Sequence, residues 1–303
     1  MALTTLFMSS RVAFGASPTP DAIKAVGDKV SALEQRAATL GIPDTSKLPD
    51  IDHSALTPEN WYRECAARLL RLMQRELEAN RPDLITEAAD LLAEITAIER
   101  SPSEYFSSTR AKAPSFSSTK ARYRKLFDDC QVRDKYTSTV NWYIDLIRLN
   151  KARYEEVAIA SGVPWHFLAV IHGLEASFNF RTHLHNGDLL SARTVHVPAG
   201  RPSSGQPPFT WNDSAADALA LMNYAGKKDW SLERTLYRLE AYNGWGYRPK
   251  RIAINSPYLW SFSQHYTKGK YASDGAYDSS LVSQQCGAAV LLKVLTTTGD
   301  ISW

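Results

Sequence analysis

The sequence predicts a mainly α-helical protein, with a helical N-terminal region ahead of a larger helical domain that carries long irregular loops. Three observations predict it. Apolar residues recur at helical spacing in most of the long segments. Helix-start signals precede several of these runs. Stretches rich in Ser, Pro and Gly separate them, as loops and linkers do.

Taken in order, residues 1–56 hold a helical stretch from Pro20 to Leu40, then a linker, Gly41 to Ser54, containing Pro and Asp. Thr57-Pro58-Glu59 is a strong helix start: a cap residue, a proline whose missing N–H costs nothing there, and an acid in the first turn. Trp61, Cys65, Leu69, Leu72, Met73 and Leu77 follow on one face. Asn80-Arg81-Pro82 breaks this helix, and a second, Asp83 to Ile98, carries Leu84, Ile85, Ala88, Leu91, Leu92 and Ile95. The pair reads as a helical hairpin. It has no polar constellation, so its expected role is packing or partner binding. Ser101 to Ser118 reads as a linker. The division is therefore residues 1–56, 57–118 and 119–303.

The third segment opens with helices at Thr119–Asp129 and Lys135–Ala160. Ser161-Gly162 ahead of Pro164 starts another, with Phe167, Val170, Ile171 and Leu174 on one buried face. Arg181 to Asn212 is irregular, and a loop of that length inside a domain is usually functional. It has room for short strands such as Thr194–Val197. Asp213 is the expected cap of a helix through Tyr224, and Ser231 starts one running to Tyr242. Residues 243–280 are loop-rich, and Ser283 to Leu295 reads as a closing helix.

Composition narrows the class. The chain has 303 residues, 44% of them apolar and 22% charged, as in ordinary soluble proteins. Its net charge of +3 is too mild to call for nucleic acid, though it suits an anionic polymer. Cys65, Cys130 and Cys286 are widely spaced and odd in number, so buried thiols are expected rather than a disulfide framework. No apolar run is long enough to span a membrane, and the first residues make a poor signal peptide.

The chemistry concentrates at Glu175, at the end of the apolar run closed by Leu174. A carboxyl placed among apolar neighbours loses hydration, which disfavours its charged form and is expected to raise its pKa. That is how a general acid is made at neutral pH. Asp188 supplies a second carboxylate after a polar Asn186-Gly187 turn.

Glu175-Ala176-Ser177 followed by Asn186-Gly187-Asp188 resembles the catalytic region of goose-type lysozymes and soluble lytic transglycosylases. Leu239-Glu240-Ala241-Tyr242-Asn243-Gly244-Trp245-Gly246-Tyr247 is similar to the Ala-Tyr-Asn-x-Gly segment lining that family's sugar cleft. The resemblance covers roughly residues 150–296 and rests on short motifs. The chain departs from the pattern in two places. Ala176 separates Glu175 from Ser177 where the family usually has Glu-Ser, and Ala192–Gly200 stands where a Gly-Leu-Met-Gln segment normally follows the loop.

The resemblance implies a lysozyme-like domain acting on peptidoglycan glycan strands, with no cofactor. It would cleave the β-1,4 bond between N-acetylmuramic acid and N-acetylglucosamine. Glu175 is then the general acid and Asp188 the base that positions water. Ser177, Tyr242, Asn243 and Gly244 are cleft residues. Glu240 either orients Tyr242 and Asn243 or is a second cleft carboxylate. Trp245 and Tyr247, flanking the Gly-rich turn, are candidate stacking faces for sugar rings. By analogy the pattern suits a phage or prophage endolysin, made in the cytoplasm and reaching the cell wall by release or export.

Three alternatives stand beside this reading. If Asp188 is misplaced, the sugar's own 6-hydroxyl attacks and the enzyme is a lytic transglycosylase. His183, His185 and Asp188, with His172 and His196 near in sequence, form a candidate ligand set for a metal-dependent hydrolase. The third is a non-catalytic wall-binding or virion-structural protein.

Overall fold

The structure, a computed structural model, describes residues 19–42, 56, 61–78, 81–99, 112–273 and 276–303. The Thr57-Pro58-Glu59 helix start, Asn80 and most of both expected linkers lie outside the described residues. The protein is mainly α-helical, with eleven α-helices and one two-stranded sheet among the described residues.

α1 (Pro20–Thr39) begins where Pro20 sits in the first turn and the Thr19 hydroxyl accepts the amide of Ala22. It packs across both arms of the expected hairpin, α2 (Trp61–Glu78) and α3 (Pro82–Glu99). Trp61, Cys65, Leu69 and Leu72 of α2 are buried, as are Leu84, Ala88, Leu92 and Ile95 of α3. The apolar spacing of both helices is thus spent on one shared core.

α4 (Phe116–Asp128) starts three residues ahead of the expected Thr119, because the Ser115 hydroxyl accepts from the amide of Ser118 and caps it there. The single helix expected over Lys135–Ala160 is two: α5 (Thr137–Leu149), after a 3₁₀ turn at Asp134–Tyr136, and α6 (Lys151–Ser161). They break at Asn150, whose φ of −100° and ψ of 8° leave the helical region and whose side chain turns back onto the carbonyl of Leu146. Asn competes for backbone partners in this way, so it suits caps better than interiors.

α7 (Trp165–Ala176) is the centre of the fold. It touches α3, α5, α6, α9 and α11. The spacing predicted one buried face, but every residue from Phe167 to Ala176 is buried. A helix this apolar on all sides belongs inside a protein.

The irregular segment after α7 carries an isolated bridge between Thr182 and Leu189, with no strand at Thr194–Val197. α8 (Trp211–Leu221) is capped by Thr210 rather than Asp213. Asp213 is instead the third helical residue and returns a bond to the Thr210 amide, closing a capping box. α9 (Leu232–Asn243) packs on α4 and α7. α10 (Pro257–Trp260), the antiparallel strands β1 (Lys270–Ser273) and β2 (Ala276–Asp278), and α11 (Ala288–Thr297) complete the chain. Cys65, Cys130 and Cys286 are buried free thiols. Burial pushes the Cys65 and Cys130 thiols up to about 11. No single described helix is long and apolar enough to cross a membrane.

Candidate active site

Glu175 lies in the last turn of α7 and is 3% exposed. The helix stops just beyond it because Ser177 and Phe178 both take left-handed backbone, at φ 49° and 60°. Left-handed backbone is uncommon for non-glycine residues and persists only where the surroundings hold it. Two contacts hold it here. Phe178 folds back over Gly173, where a Cβ would stand 2.5 Å from its ring, so only glycine admits the reversal. Ser177, buried at the cap, is bonded by the Tyr62 hydroxyl of α2 and by Thr96 Oγ1 of α3 at 2.7 Å. The expected cleft residue Ser177 is therefore a tie between the N-terminal hairpin and the end of α7.

Around Glu175 the side chains are organised. The Tyr258 hydroxyl of α10 donates to Glu175 Oε1 at 3.0 Å and fixes the plane of the carboxyl. Burial, then the neighbouring Glu175 charge, pushes the Tyr258 phenol well above its ordinary range, so it stays a donor. Gln285 Nε2 donates to the Leu174 carbonyl at 2.9 Å. A cavity of about 10 Å³ lies beside Tyr258, bounded by Leu174, Asn243 and Gln285 among others. That is space for about one water.

The Asn186-Gly187-Asp188 turn packs directly onto the end of α7. Gly187 has φ +79°, and a Cβ on it would meet the Glu175 carbonyl oxygen at 2.6 Å. The two carboxylate-bearing segments singled out in the sequence are thus brought into one corner. The Asp188 carboxylate itself is heavily engaged. Oδ2 accepts from the amides of Val195 and His196 at 2.8 and 2.9 Å and from Asn186 Nδ2 at 3.1 Å. Oδ1 meets His196 Nδ1 at 2.6 Å. Burial alone would raise the Asp188 pKa, but donation from the His196 ring and from the two amides brings it below the usual carboxylate range. Asp188 is an ionised clasp on the loop over residues 194–200.

The residues of the Ala-Tyr-Asn-Gly segment divide. Tyr242 and Asn243 are buried on the Glu175 side: Tyr242 donates to the Leu184 carbonyl at 2.8 Å, and Asn243 borders the small cavity. Gly244 caps α9 at φ 101°. Glu240 does not act as a second cleft carboxylate. Arg248 grips it with Nε and Nη2 at 2.7 and 2.6 Å, and the Tyr123 hydroxyl donates to Oε2 at 2.5 Å. Trp245 and Tyr247 are not open stacking faces either. Trp245 is buried against Tyr237 with ring centres 4.8 Å apart, and Tyr247 is 1% exposed and accepts the amide of Tyr271. Their apolar area is spent on the core.

His183, His185 and Asp188 are not gathered as ligands. His183 Nε2 faces the Ala192 carbonyl at 2.8 Å and must donate to it, which leaves Nδ1 to accept from the Ser214 hydroxyl at 2.9 Å. His185 Nε2 donates to Asp217 Oδ2 at 2.7 Å. Burial takes the His185 pKa down to about 4, with Asp217 opposing it in part. Asp188 belongs to His196. Among the described residues no group of three or more His, Cys, Asp or Glu is arranged to hold a metal. The sequence reading missed Tyr258 as the partner of Glu175, because nothing local to Pro257-Tyr258 points across the fold.

Compared with known proteins, the chain matches no family model, and no curated protein or solved structure shows significant similarity to it.

Proposed function

We propose that the protein is a lysozyme-like peptidoglycan glycosidase that cleaves the β-1,4 bond between N-acetylmuramic acid and N-acetylglucosamine, with Glu175 as general acid. The observation that carries the reading is Glu175 itself: a carboxyl at the end of a fully buried helix, 3% exposed, with a tyrosine hydroxyl on Oε1. Withdrawal from water and a fixed orientation are what a proton donor to a glycosidic oxygen needs. In this reading Tyr242 and Asn243, buried on the same side of the fold, are the residues that meet the sugar. The cavity beside Tyr258 has room for about one water and Glu175 does not line it, so in this reading the 256–260 segment or the 186–188 turn gives way when a glycan strand binds.

A muramidase needs a base for its water, and Asp188 is the carboxylate at hand. Its hydrogen bonds favour a second reading. With Oδ2 taking three donors and Oδ1 on His196, and with its pKa lowered, Asp188 is a weak base. Glu175 then protonates the leaving oxygen as the glycosidic bond breaks, the sugar's own 6-hydroxyl attacks in place of water and returns its proton to the Glu175 carboxylate, and the products carry 1,6-anhydro ends.

Digestion of purified peptidoglycan by the wild type and by Glu175→Gln, followed by mass spectrometry of the released fragments, tests both. Reducing muramic ends that vanish in the variant support the muramidase. Anhydro ends that vanish in the variant support the transglycosylase. Release by both proteins removes Glu175 from the chemistry, and release by neither, on walls from several bacteria, removes the glycosidase reading.

A further inference from the structure

A second cavity, of about 140 Å³, lies between α4, α9 and residues 247–256. It is roughly ten times what one water needs. It shares no lining residue with the small cavity beside Tyr258. The two are separated by the 256–260 segment: Pro257 and Tyr258 line the small cavity, Ser256 and Trp260 the large one.

The hydrogen-bonding state of its walls decides what it can hold. The carboxylate and amide side-chain acceptors are engaged. Both Glu240 oxygens are taken by Arg248 and Tyr123. Asn255 Oδ1 accepts from Arg122 Nη2 at 2.8 Å. Donors remain. Arg248 spends Nε and Nη2 on Glu240 and Tyr123, which leaves Nη1. Arg122, exposed at the cavity wall, has Nε and Nη1 beyond its bond to Asn255. Two guanidinium groups face one carboxylate, so the lining carries one surplus positive charge.

Ser256 lines the cavity, but its hydroxyl oxygen is buried and closed off from it, so the donors that face a ligand are the guanidinium groups. Leu126, Ile254 and Trp260 supply the smaller, apolar part of a mainly polar wall, enough to border the carbon frame of a polar organic acid.

We infer that this cavity is a binding site for a small organic carboxylate, up to the size of a sugar acid, held by Arg122 and Arg248 Nη1. The site is independent of the peptidoglycan reading, since none of these groups touches Glu175.

The test is calorimetric titration of the full chain with D-glucuronate, with D-glucose and inorganic phosphate in parallel. Glucuronate is expected to bind at millimolar or better affinity and glucose at least about tenfold more weakly, the factor a hydrogen bond to a charged group contributes. Arg122→Ala, at an exposed residue, should weaken glucuronate by about tenfold. Because Arg122 is exposed, the unfolding midpoint of Arg122→Ala should stay unchanged, which separates lost binding from lost fold. Glucose binding as well as glucuronate, phosphate binding as well as glucuronate, no saturable binding of any probe, or Arg122→Ala binding like the wild type would each overturn the inference.

Discussion

Replacing Gly187 with Ala isolates the contact that places the Asp188 turn against the acid-bearing helix. Two costs arise. The backbone at φ +79° is left-handed, which disfavours alanine by about 1–2 kcal/mol. The new Cβ would also stand 2.6 Å from the Glu175 carbonyl oxygen, a backbone atom that cannot swing aside. Overpacking of this kind costs about 1–3 kcal/mol. Gly200 provides the control. It has nearly the same backbone, φ +76°, but nothing within 4 Å of the added Cβ. Alanine also stiffens the unfolded chain and recovers about 0.4–1 kcal/mol at either position. Gly200→Ala should therefore cost about 0–1.6 kcal/mol and Gly187→Ala about 1–4.6 kcal/mol, the overpacking of about 1–3 kcal/mol being the difference. Urea unfolding followed by circular dichroism reads the difference. Equal destabilisation of the two variants, within about 0.5 kcal/mol, would refute the contact. If Glu175 is the acid, Gly187→Ala should also slow wall digestion while Gly200→Ala leaves it intact, because only the first displaces the helix end.

Acid should unfold the protein early. Burial holds His166 near 4, His172 near 3 and His185 near 4, against 6.5 for the free side chain. The unfolded chain thus takes up these protons first, and the stability they contribute is complete above about pH 6.5 and lost as pH falls toward 4. Each contributes about 1.4 kcal/mol per pH unit in that window, so a melting temperature that stays flat from neutral pH to pH 4.5 would show that these rings are not buried neutral. Tyr258→Phe removes the hydroxyl on Glu175 and should lower wall digestion by about tenfold with the fold retained; an unchanged rate would show that the hydroxyl does not position the acid. Arg248→Met leaves Glu240 buried without its cation. With Arg248 26% exposed and Tyr123 still donating, the loss should be about 2–3 kcal/mol, more than half of it recovered in Glu240→Gln/Arg248→Met. Urea midpoints of the single and double variants measure both.

The helices were legible wherever the apolar period and a cap agreed. α1 begins at Thr19-Pro20, and α2 and α3 run close to their apolar spans, because these signals are local. Boundaries set by a side chain turning back on its own backbone were not. Asn150 splits a helix that reads as continuous, and Ser115 and Thr210 cap where Thr119 and Asp213 look equally suitable. At the site, the burial of Glu175 and the approach of the 186–188 turn follow from the motif, since a helix-end carboxyl after Leu174 and a glycine turn both speak locally. The partners of the polar side chains do not. Glu240 sits in a segment that reads as a sugar cleft, yet its ion pair depends on Arg248 and on Tyr123, far back in the chain on α4. Trp245 and Tyr247 look like sugar platforms by composition, and only tertiary packing shows that the core has claimed them.

The tie at Ser177 bears on how the chain can be divided. Residue 119 is the natural place to cut by composition, yet the hairpin ahead of it reaches into the later part in several places. Tyr62 and Thr96 hold the reversal after Glu175, and Glu99 receives Lys270 Nζ from β1 at 3.2 Å through its side chain and at 2.7 Å through its carbonyl. Excising residues 1–118 would leave an ammonium group without its carboxylate and a left-handed helix end without its clamp. The later part is thus not a module awaiting attachment: its buried Glu175 is seated by side chains that the ribosome makes about a hundred residues earlier.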